Sequence, residues 1–493
     1  MPLKSVRDLV VPTRKVRIAE DCAGLGTGFC TFKRSAHDLN RESTKAANLQ
    51  STKLRRRKIQ LLKKIEIDPV YMSENHPPLR RFLRHRWPRT KIVEDSNLGS
   101  DSRGDTLLGK DGEIDVYIAG GSCQPFSKQG QNGGGKDMRS NTTRDVVDFI
   151  KERKPKCFII EQVKNILSKT HKKWLRHRIL RVIKHLKRKD GRKLYKVQME
   201  IYDSERFNSP QTRKRLYITG VRTDVPCLHK FKMPTGSNRR PKSLASLVAS
   251  STSGPQVEDC ELSNTERRNW IGIKNTLNDR TDVKYPVIGD FQQSKAFGIS
   301  WQERKSPTIT KARAGQRAFW IIDKLKDGLG FSKRRLEVRD YATLMGWDNK
   351  SQTQYLGIDK QFHCSRNPMA PLPARLKGDT LPQLSQSQLL AGLGNSFSVP
   401  VFQAIAENML KCFNGLKMSS DSEDSDSDSV APVKKYRNKG SVGQCEHFTF
   451  HTAPIKKQKL PQYRKISGYE ETIDQQTALE RDAKCQRRFK TTK

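Results

Sequence analysis

The chain has 493 residues, enough for two or three domains with a substantial core. Its 95 Lys and Arg against 52 Asp and Glu leave a formal charge of +43, an excess that points to a polyanionic partner, most simply nucleic acid. No apolar run reaches the roughly 18 residues of a membrane span and no signal-peptide core opens the chain. With ten cysteines scattered singly and no CxxC pair, free thiols in a reducing compartment are expected and a bound metal is not.

Residues 1–13 read as an N-terminal extension. From 14 to 223, short apolar runs alternate with polar, helix-like stretches, with strands expected at 16–19, 70–72, 116–119, 158–160 and 216–219. That alternation predicts an α/β fold, a Rossmann-like parallel sheet with helices on both faces. The first strand ends in Glu20-Asp21-Cys22-Ala23-Gly24-Leu25-Gly26-Thr27-Gly28, where glycines let the backbone turn tightly and approach a ligand. A basic insertion follows at 41–64, centred on Arg55-Arg56-Arg57-Lys58. The second strand ends at Ser73-Glu74-Asn75, an acidic position suited to ribose hydroxyls, and Asp95 follows the run Lys91-Ile92-Val93.

The strand 116–119 runs into Gly120-Gly121-Ser122-Cys123-Gln124-Pro125-Phe126-Ser127. A cysteine is thus presented on a turn at the carboxyl end of a strand, where open α/β sheets place their chemistry and where a thiolate can act as nucleophile. The strand 158–160 ends in Glu161-Gln162-Val163, which offers a carboxyl group beside that thiol. Residues 169–196 are densely basic, and Trp174, Leu175, Ile179, Val182, Ile183 and Leu186 recur at helical spacing, so one face packs inward. The opposite face is either solvated or in contact with phosphates. Next, Gln211-Thr212-Arg213-Lys214-Arg215 leads into a strand with both arginines in phase. Residues 224–386 are rich in Pro, Ser, Asn and Gly and predict a smaller, loop-rich domain with strands at 306–310 and 318–322. Residues 387–415 return to a helical pattern, within which Gly394-Asn395-Ser396 precedes the last helix. An acidic serine tract and a basic tail fill 416–493 and are expected to be disordered.

Taken in order, these segments resemble the cytosine-5 DNA methyltransferases from about Val16 to Met409. The glycine turn matches that family's S-adenosylmethionine loop, SerCysGlnProPheSer its nucleophile loop, GluGlnVal its GluAsnVal and GlnThrArgLysArg its Gln-x-Arg-x-Arg. The run from Arg334 to Trp347 is similar to the helix after its target recognition region, and GlyAsnSer to its last motif. The resemblance implies a methyltransferase domain over 14–223, a target recognition domain over 224–386 and a closing helix over 387–415. It implies S-adenosylmethionine as cofactor, held by Ala23, Gly24, Leu25, Gly26, Thr27, Glu74, Asn75, Asp95, Asn395 and Ser396. It makes Cys123 the nucleophile, with Glu161, Arg213 and Arg215 as its catalytic partners, and sets Gln124, Ser127, Arg139 and Gln211 against the substrate. Double-stranded DNA is the implied partner. Transfer RNA stays open as an alternative substrate, and a catalytically silent DNA-binding protein as another reading.

Three positions depart from the family pattern. Ser122 stands where proline usually precedes the nucleophile, Gln162 where asparagine usually follows the glutamate, and Cys22 where an aromatic ring often stacks on adenine. The first two belong to neighbouring loops, so the changes are expected to compensate for each other. Basic clusters at 434–435 and 456–459 beside the acidic tract suggest a nuclear protein on composition alone.

Overall fold

In the computed structural model the apolar run Val116–Ala119 is the middle strand of a seven-stranded sheet. The structure describes residues 13–53, 64–94, 114–127, 132–225, 228–236, 244, 258–325, 327–347, 355–356 and 384–414. Arg55 to Lys58, Asp95, the acidic serine tract and the two basic clusters of the tail lie outside these residues.

The sheet is built from β1 (Thr13–Asp21), β2 (Lys64–Ser73), β3 (Lys91–Val93), β4 (Val116–Ala119), β5 (Cys157–Val163), β6 (Tyr195–Asp203) and β7 (Lys214–Arg222). Their order across the sheet is β3-β2-β1-β4-β5-β7-β6. The chain moves outward from β1 to β3 and then crosses back to β4, so the crevice above β1 and β4 is the topological switch point. The expected parallel sheet holds from β3 through β5. The strand expected at 216–219 is present as β7, but it runs antiparallel to both β5 and β6. No strand was expected at β6. Its alternating Tyr195, Val197, Met199 and Ile201 carry the period-2 signal of a half-buried strand, but they follow directly on the basic run.

Alternation along the strands divides the interior into two layers. Val16, Ile18, Val116, Ile118 and Ile159 face α1 (Thr27–Lys53) and the C-terminal helices. Tyr117, Ala119, Phe158, Ile160 and Ile218 face the other way, against α3 (Asn141–Arg153) and a basic helix over 172–185. The short helix α2 (Pro77–Arg86) follows β2. The basic helix, α4, is interrupted by a π-turn at Arg176–Leu180 and buries Leu175, Ile179 and Ile183.

A second, antiparallel sheet joins β8 (Val287–Asp290), β9 (Trp301–Glu303), β10 (Phe319–Lys324) and β11 (Phe331–Arg335) in the order β11-β10-β8-β9. One face packs Trp320 and Ile322 on Trp270, Ile273 and Leu277 of α5 (Asn264–Asn278). The other face carries Ile288, Phe319 and Ile321 into the main core, where they meet Leu336, Tyr341 and Trp347 around α7 (Val338–Leu344). Residues expected to form one loop-rich domain therefore contribute to two cores. The strand expected at 318–322 is β10. The strand expected at 306–310 is not formed. Pro307 has no N–H to give a ladder, Ser306 makes a single bridge to Gln211, and Thr310 instead caps the short α6 (Lys311–Gly315).

The helical region expected at 387–415 is two helices, α8 (Gln386–Asn395) and α9 (Val399–Asn414), broken at Ser396 to Ser398. Among the described residues no single helix is long and apolar enough to cross a membrane.

Candidate active site

The glycine turn after β1 is held from below by two carboxylates. Glu20 is fully buried and accepts the N–H groups of Gly28 (3.0 Å) and Phe29 (3.1 Å) in the first turn of α1. Burial, opposed by those two hydrogen bonds, pushes its pKa up to about 8. Asp21 accepts from Ser73 Oγ (2.6 Å) and from the Tyr117 hydroxyl, tying β1 to β2 and β4.

Gly24 and Gly26 both adopt positive φ, which explains why glycine stands there. A Cβ on Gly26 would come within 2.9 Å of the Tyr355 hydroxyl, which itself donates to the Leu25 carbonyl (2.8 Å). A Cβ on Gly24 would meet nothing within 4 Å, so this side of the turn is open. Glu74 stands beside it, accepting from Gly24 N (2.7 Å) and His76 N (2.8 Å). A carboxylate so held keeps lone pairs for further donors. The open glycine, Glu74 and the half-buried Cys22 fit a nucleoside-bearing cofactor such as the one implied by the sequence. Leu25 and Thr27 are instead buried in the protein, and Asn75 is exposed. Across the crevice Asn395 is exposed at the end of α8, while Ser396 Oγ donates to the Leu393 carbonyl (2.7 Å).

The nucleophile turn leaves β4 at Ala119. Gly120 and Gly121 run against Phe397 and Thr143, each closer than 3.0 Å to where a Cβ would sit. Cys123 then opens a 3₁₀ turn, Gln124–Phe126, entered through Pro125. Two side chains fix this backbone. Thr142 Oγ1 accepts the Ser122 N–H (3.0 Å), and Gln162 Nε2 donates to the carbonyls of Gly121 (3.0 Å) and Ser122 (3.2 Å). A proline at 122 would have no N–H for Thr142. Both unusual residues are thus engaged in holding the same turn.

Because Ile160 lies opposite Ala119 in the sheet, Glu161 emerges one residue beyond the strand end that presents the nucleophile. Arg215 Nε lies 3.1 Å from Glu161 Oε1. Burial and the Glu161 charge push the Cys123 thiol up, whereas Arg215 and Arg213 pull it down. The geometry therefore brings Cys123, Glu161 and Arg215 together above β4 and β5, beside the switch point.

Two expected site residues point elsewhere. Arg213 is buried, and its guanidinium donates to the carbonyls of Ile309 (2.6 Å), Gly394 (3.3 Å) and Ser396 (2.8 Å). It braces the loop before α6 against the break between α8 and α9, so its role toward a base is corrected to a structural one. Burial pulls its pKa down to about 10, which leaves it charged at neutral pH. Gln211 is also buried, donating to the Leu344 carbonyl (3.2 Å), and offers no surface to a substrate. By contrast, Gln124 and Arg139 are exposed and joined. The Gln124 side-chain carbonyl accepts from Arg139, whose Nη2 pairs with Asp137 (2.6 Å). Ser127 closes the 3₁₀ turn, its N–H donating to the Gln124 carbonyl (3.4 Å).

Glu20, Thr142, Tyr355 and a cluster behind the nucleophile were not expected from the sequence. In that cluster Asn165 Nδ2 donates to the Phe126 carbonyl (2.8 Å) and to Asn132 Oδ1 (3.2 Å), and His171 Nε2 meets the same Asn132 oxygen at 2.7 Å. Trp174 packs on Phe126 with ring centroids 4.8 Å apart. Glu20 had a visible signal, a carboxylate one residue before the strand end. Tyr355 had none, since it reaches Leu25 from 330 positions away.

Residues 59–366 match the family described as C-5 cytosine-specific DNA methylase. The chain is 30% identical to type II methyltransferase M.NlaIV of Neisseria lactamica over 403 residues, covering 69% of this chain and 92% of that protein. It is 25% identical to type II methyltransferase M1.ScrFI of Lactococcus lactis subsp. cremoris over 327 residues, covering 64% of this chain and 68% of that protein. A solved structure of a Spodoptera frugiperda DNMT2 mutant aligns with 80% of this chain and 99% of its own at a TM-score of 0.47 and 14% identity. With the family match spanning more than half of its length, the chain belongs to the C-5 cytosine-specific DNA methylases, enzymes that take their methyl group from S-adenosylmethionine.

Proposed function

We propose that this chain methylates carbon 5 of a flipped-out cytosine in duplex DNA through a covalent adduct on Cys123. The observation that carries the reading is the convergence of the Cys123 thiol with the Glu161–Arg215 pair at the crevice above β4 and β5. Carbon 5 of cytosine is a poor nucleophile. When the Cys123 thiolate bonds to carbon 6, electron density moves to carbon 5. Glu161 accepts from the exocyclic amine and, carrying a proton, donates to ring nitrogen 3, which stabilises the electron-rich ring. Arg215 fixes the Glu161 carboxyl for that contact. The cofactor supplies an electrophilic methyl group, and Glu74 with the open face of Gly24 would hold it. After transfer the carbon 5 proton leaves to a base, the sulfur–carbon 6 bond breaks, and Cys123 is restored. A stacked cytosine cannot reach this turn, so the base is flipped out at a cost of a few kcal/mol. Exposed Gln124 and Arg139 stand beside the turn where the flanking backbone would pass.

Incubation with labelled S-adenosylmethionine tests the reading. Label is expected on duplex DNA and not on transfer RNA, and Cys123→Ser is expected to abolish transfer while leaving DNA binding intact. A duplex carrying 5-fluorocytosine is expected to trap the wild-type protein covalently. Label on RNA alone, or methylation without trapping, would overturn the substrate or the thiolate step respectively.

A further inference from the structure

The exposed side of α4 has no function in the site described above. Its buried side chains, Leu175, Ile179, Leu180 and Ile183, fill the layer beneath β4 and β5. Every exposed position from 172 to 185 is Lys, Arg or His. No acidic residue occurs between Glu161 and Asp190, and Asp190 is itself engaged by Arg188 and Arg192 at 2.8 Å each. Among the described residues no carboxylate pairs with Lys172, Arg176, Arg178, Arg181 or Lys184. The shorter α2 exposes Arg81, Arg84 and His85 as well, but the longer helices α3 and α5 are not built this way. The exposed positions of α3 include Asp148 and Glu152 beside Lys151, and those of α5 mix Arg and Lys with Asn.

Like charges three and four residues apart, such as Lys172 with Arg176 and Arg178 with Arg181, repel along the helix. That repulsion runs over nearly the whole exposed face, and among the described residues no internal counter-charge meets it. The helix also has a defined place. Its first turn abuts the nucleophile turn, with Trp174 against Phe126 and His171 bonded to Asn132. From there it runs back along the sheet toward the start of β6. At 1.5 Å per residue it extends about 20 Å, a length over which duplex DNA carries about a dozen charges.

We infer that this face of α4 is a second phosphate-binding surface, which holds the backbone of duplex DNA flanking the target and lying outside the catalytic crevice. The inference rests on the reading of the chain as a DNA-modifying enzyme, and adds to it a contact that carries no sequence information. It requires the flanking duplex to turn down the side of the sheet, so long DNA gains from it and DNA that only fills the crevice does not.

The test compares Arg176→Gln/Arg178→Gln/Arg181→Gln with a control of equal charge loss on and after α2, Arg81→Gln/Arg84→Gln/Arg89→Gln, in the full chain. Binding is measured to duplexes of about 12 and about 40 base pairs between 50 and 200 mM salt. On the long duplex the α4 variant is expected to lose about 2.7 from the slope of log affinity against log salt, at roughly 0.9 per phosphate contact. Its affinity then falls about 40-fold less than that of the wild type across this salt range. Binding and methylation of the short duplex are expected to be unchanged, and the control is expected to keep the wild-type slope. An unchanged slope in the α4 variant, or an equal drop in the control, would overturn the surface. If neither protein methylates any duplex while the slopes still differ, the catalytic reading fails and the surface stands.

Discussion

Gln162 and Arg213 show how far a side chain's job depends on its reach. Gln162 spans from β5 to the carbonyls of Gly121 and Ser122. Gln162→Asn shortens that reach by one methylene and releases both carbonyls, while Ser122 remains tied only to Thr142. A misplacement of about 1 Å at a reacting group can lower rate by about 100-fold. Turnover is therefore expected to slow by roughly one to two orders of magnitude. The KM for S-adenosylmethionine should stay unchanged, since Glu74 and Gly24 are untouched. Wild-type turnover in the variant would show that Gln162 does not set the turn. Arg213 and Arg215 differ by two positions and divide the work differently. Arg213→Met strands three buried carbonyls, each costing about 1–3 kcal/mol when left unpaired. It should therefore lower the melting temperature sharply. Arg215→Met removes one ion-pair partner and no braced carbonyls, so it should lower the melting temperature less than Arg213→Met while abolishing turnover. Equal thermal stability in the two variants would remove the distinction drawn between a brace and a site residue.

At the scale of elements, the link between β1 and α1 depends on Glu20. In the unfolded chain its carboxyl titrates near the ordinary 4.5, and in the folded protein near 8. Between those values the folded state binds the extra proton, so the stabilisation is present below the unfolded value and is lost as pH rises through 8. The neighbouring charges that add to the rise are Asp21 and Glu74, from the end of β1 and the turn after β2. Glu20→Gln is expected to flatten the decline of melting temperature between about pH 5 and 8; parallel curves for the two proteins would sink the assignment. This element also shows what a sequence can disclose. The glycine turn, the Cys123 turn and Glu161 were legible because their signals are local: a strand end, a tight turn and a titratable residue within a few positions. The reversal of β7 was not legible, because strand direction is set by where the chain returns and not by composition. Nor was the bracing role of Arg213, since the carbonyls it meets come from residues 309, 394 and 396. The missing strand at 306–310 had a local warning in Pro307, outweighed by its β-branched neighbours.

At the scale of the whole molecule, the last described helix closes the first core. Val399, Val401, Phe402, Ile405, Met409, Leu410 and Phe413 of α9 are buried against α1 and the sheet, and Phe402 packs on Phe32 at 6.0 Å. Arg14 at the start of β1 donates to the Phe413 carbonyl and stacks over its ring at 5.0 Å, so the two ends of the described chain meet. Burying seven such side chains at roughly 1.5–3 kcal/mol each amounts to more than about 10 kcal/mol. That is as large as the roughly 5–15 kcal/mol by which a whole domain is stable. A chain ending at Ser398, just before α9, should therefore lose cooperative thermal unfolding, although it keeps α8, Cys123, Glu161, Arg215 and the glycine turn. A chain ending at Asp424, the limit of the compact unit that contains α9, should unfold cooperatively at the temperature of the full protein. If the shorter chain melts as the longer one does, then α9 is an appendage and the core is closed without it. If it does not, the methyltransferase sheet is stable only when the chain has crossed the second sheet and come back. The catalytic turn and the region expected to read DNA would then fold as one cooperative unit.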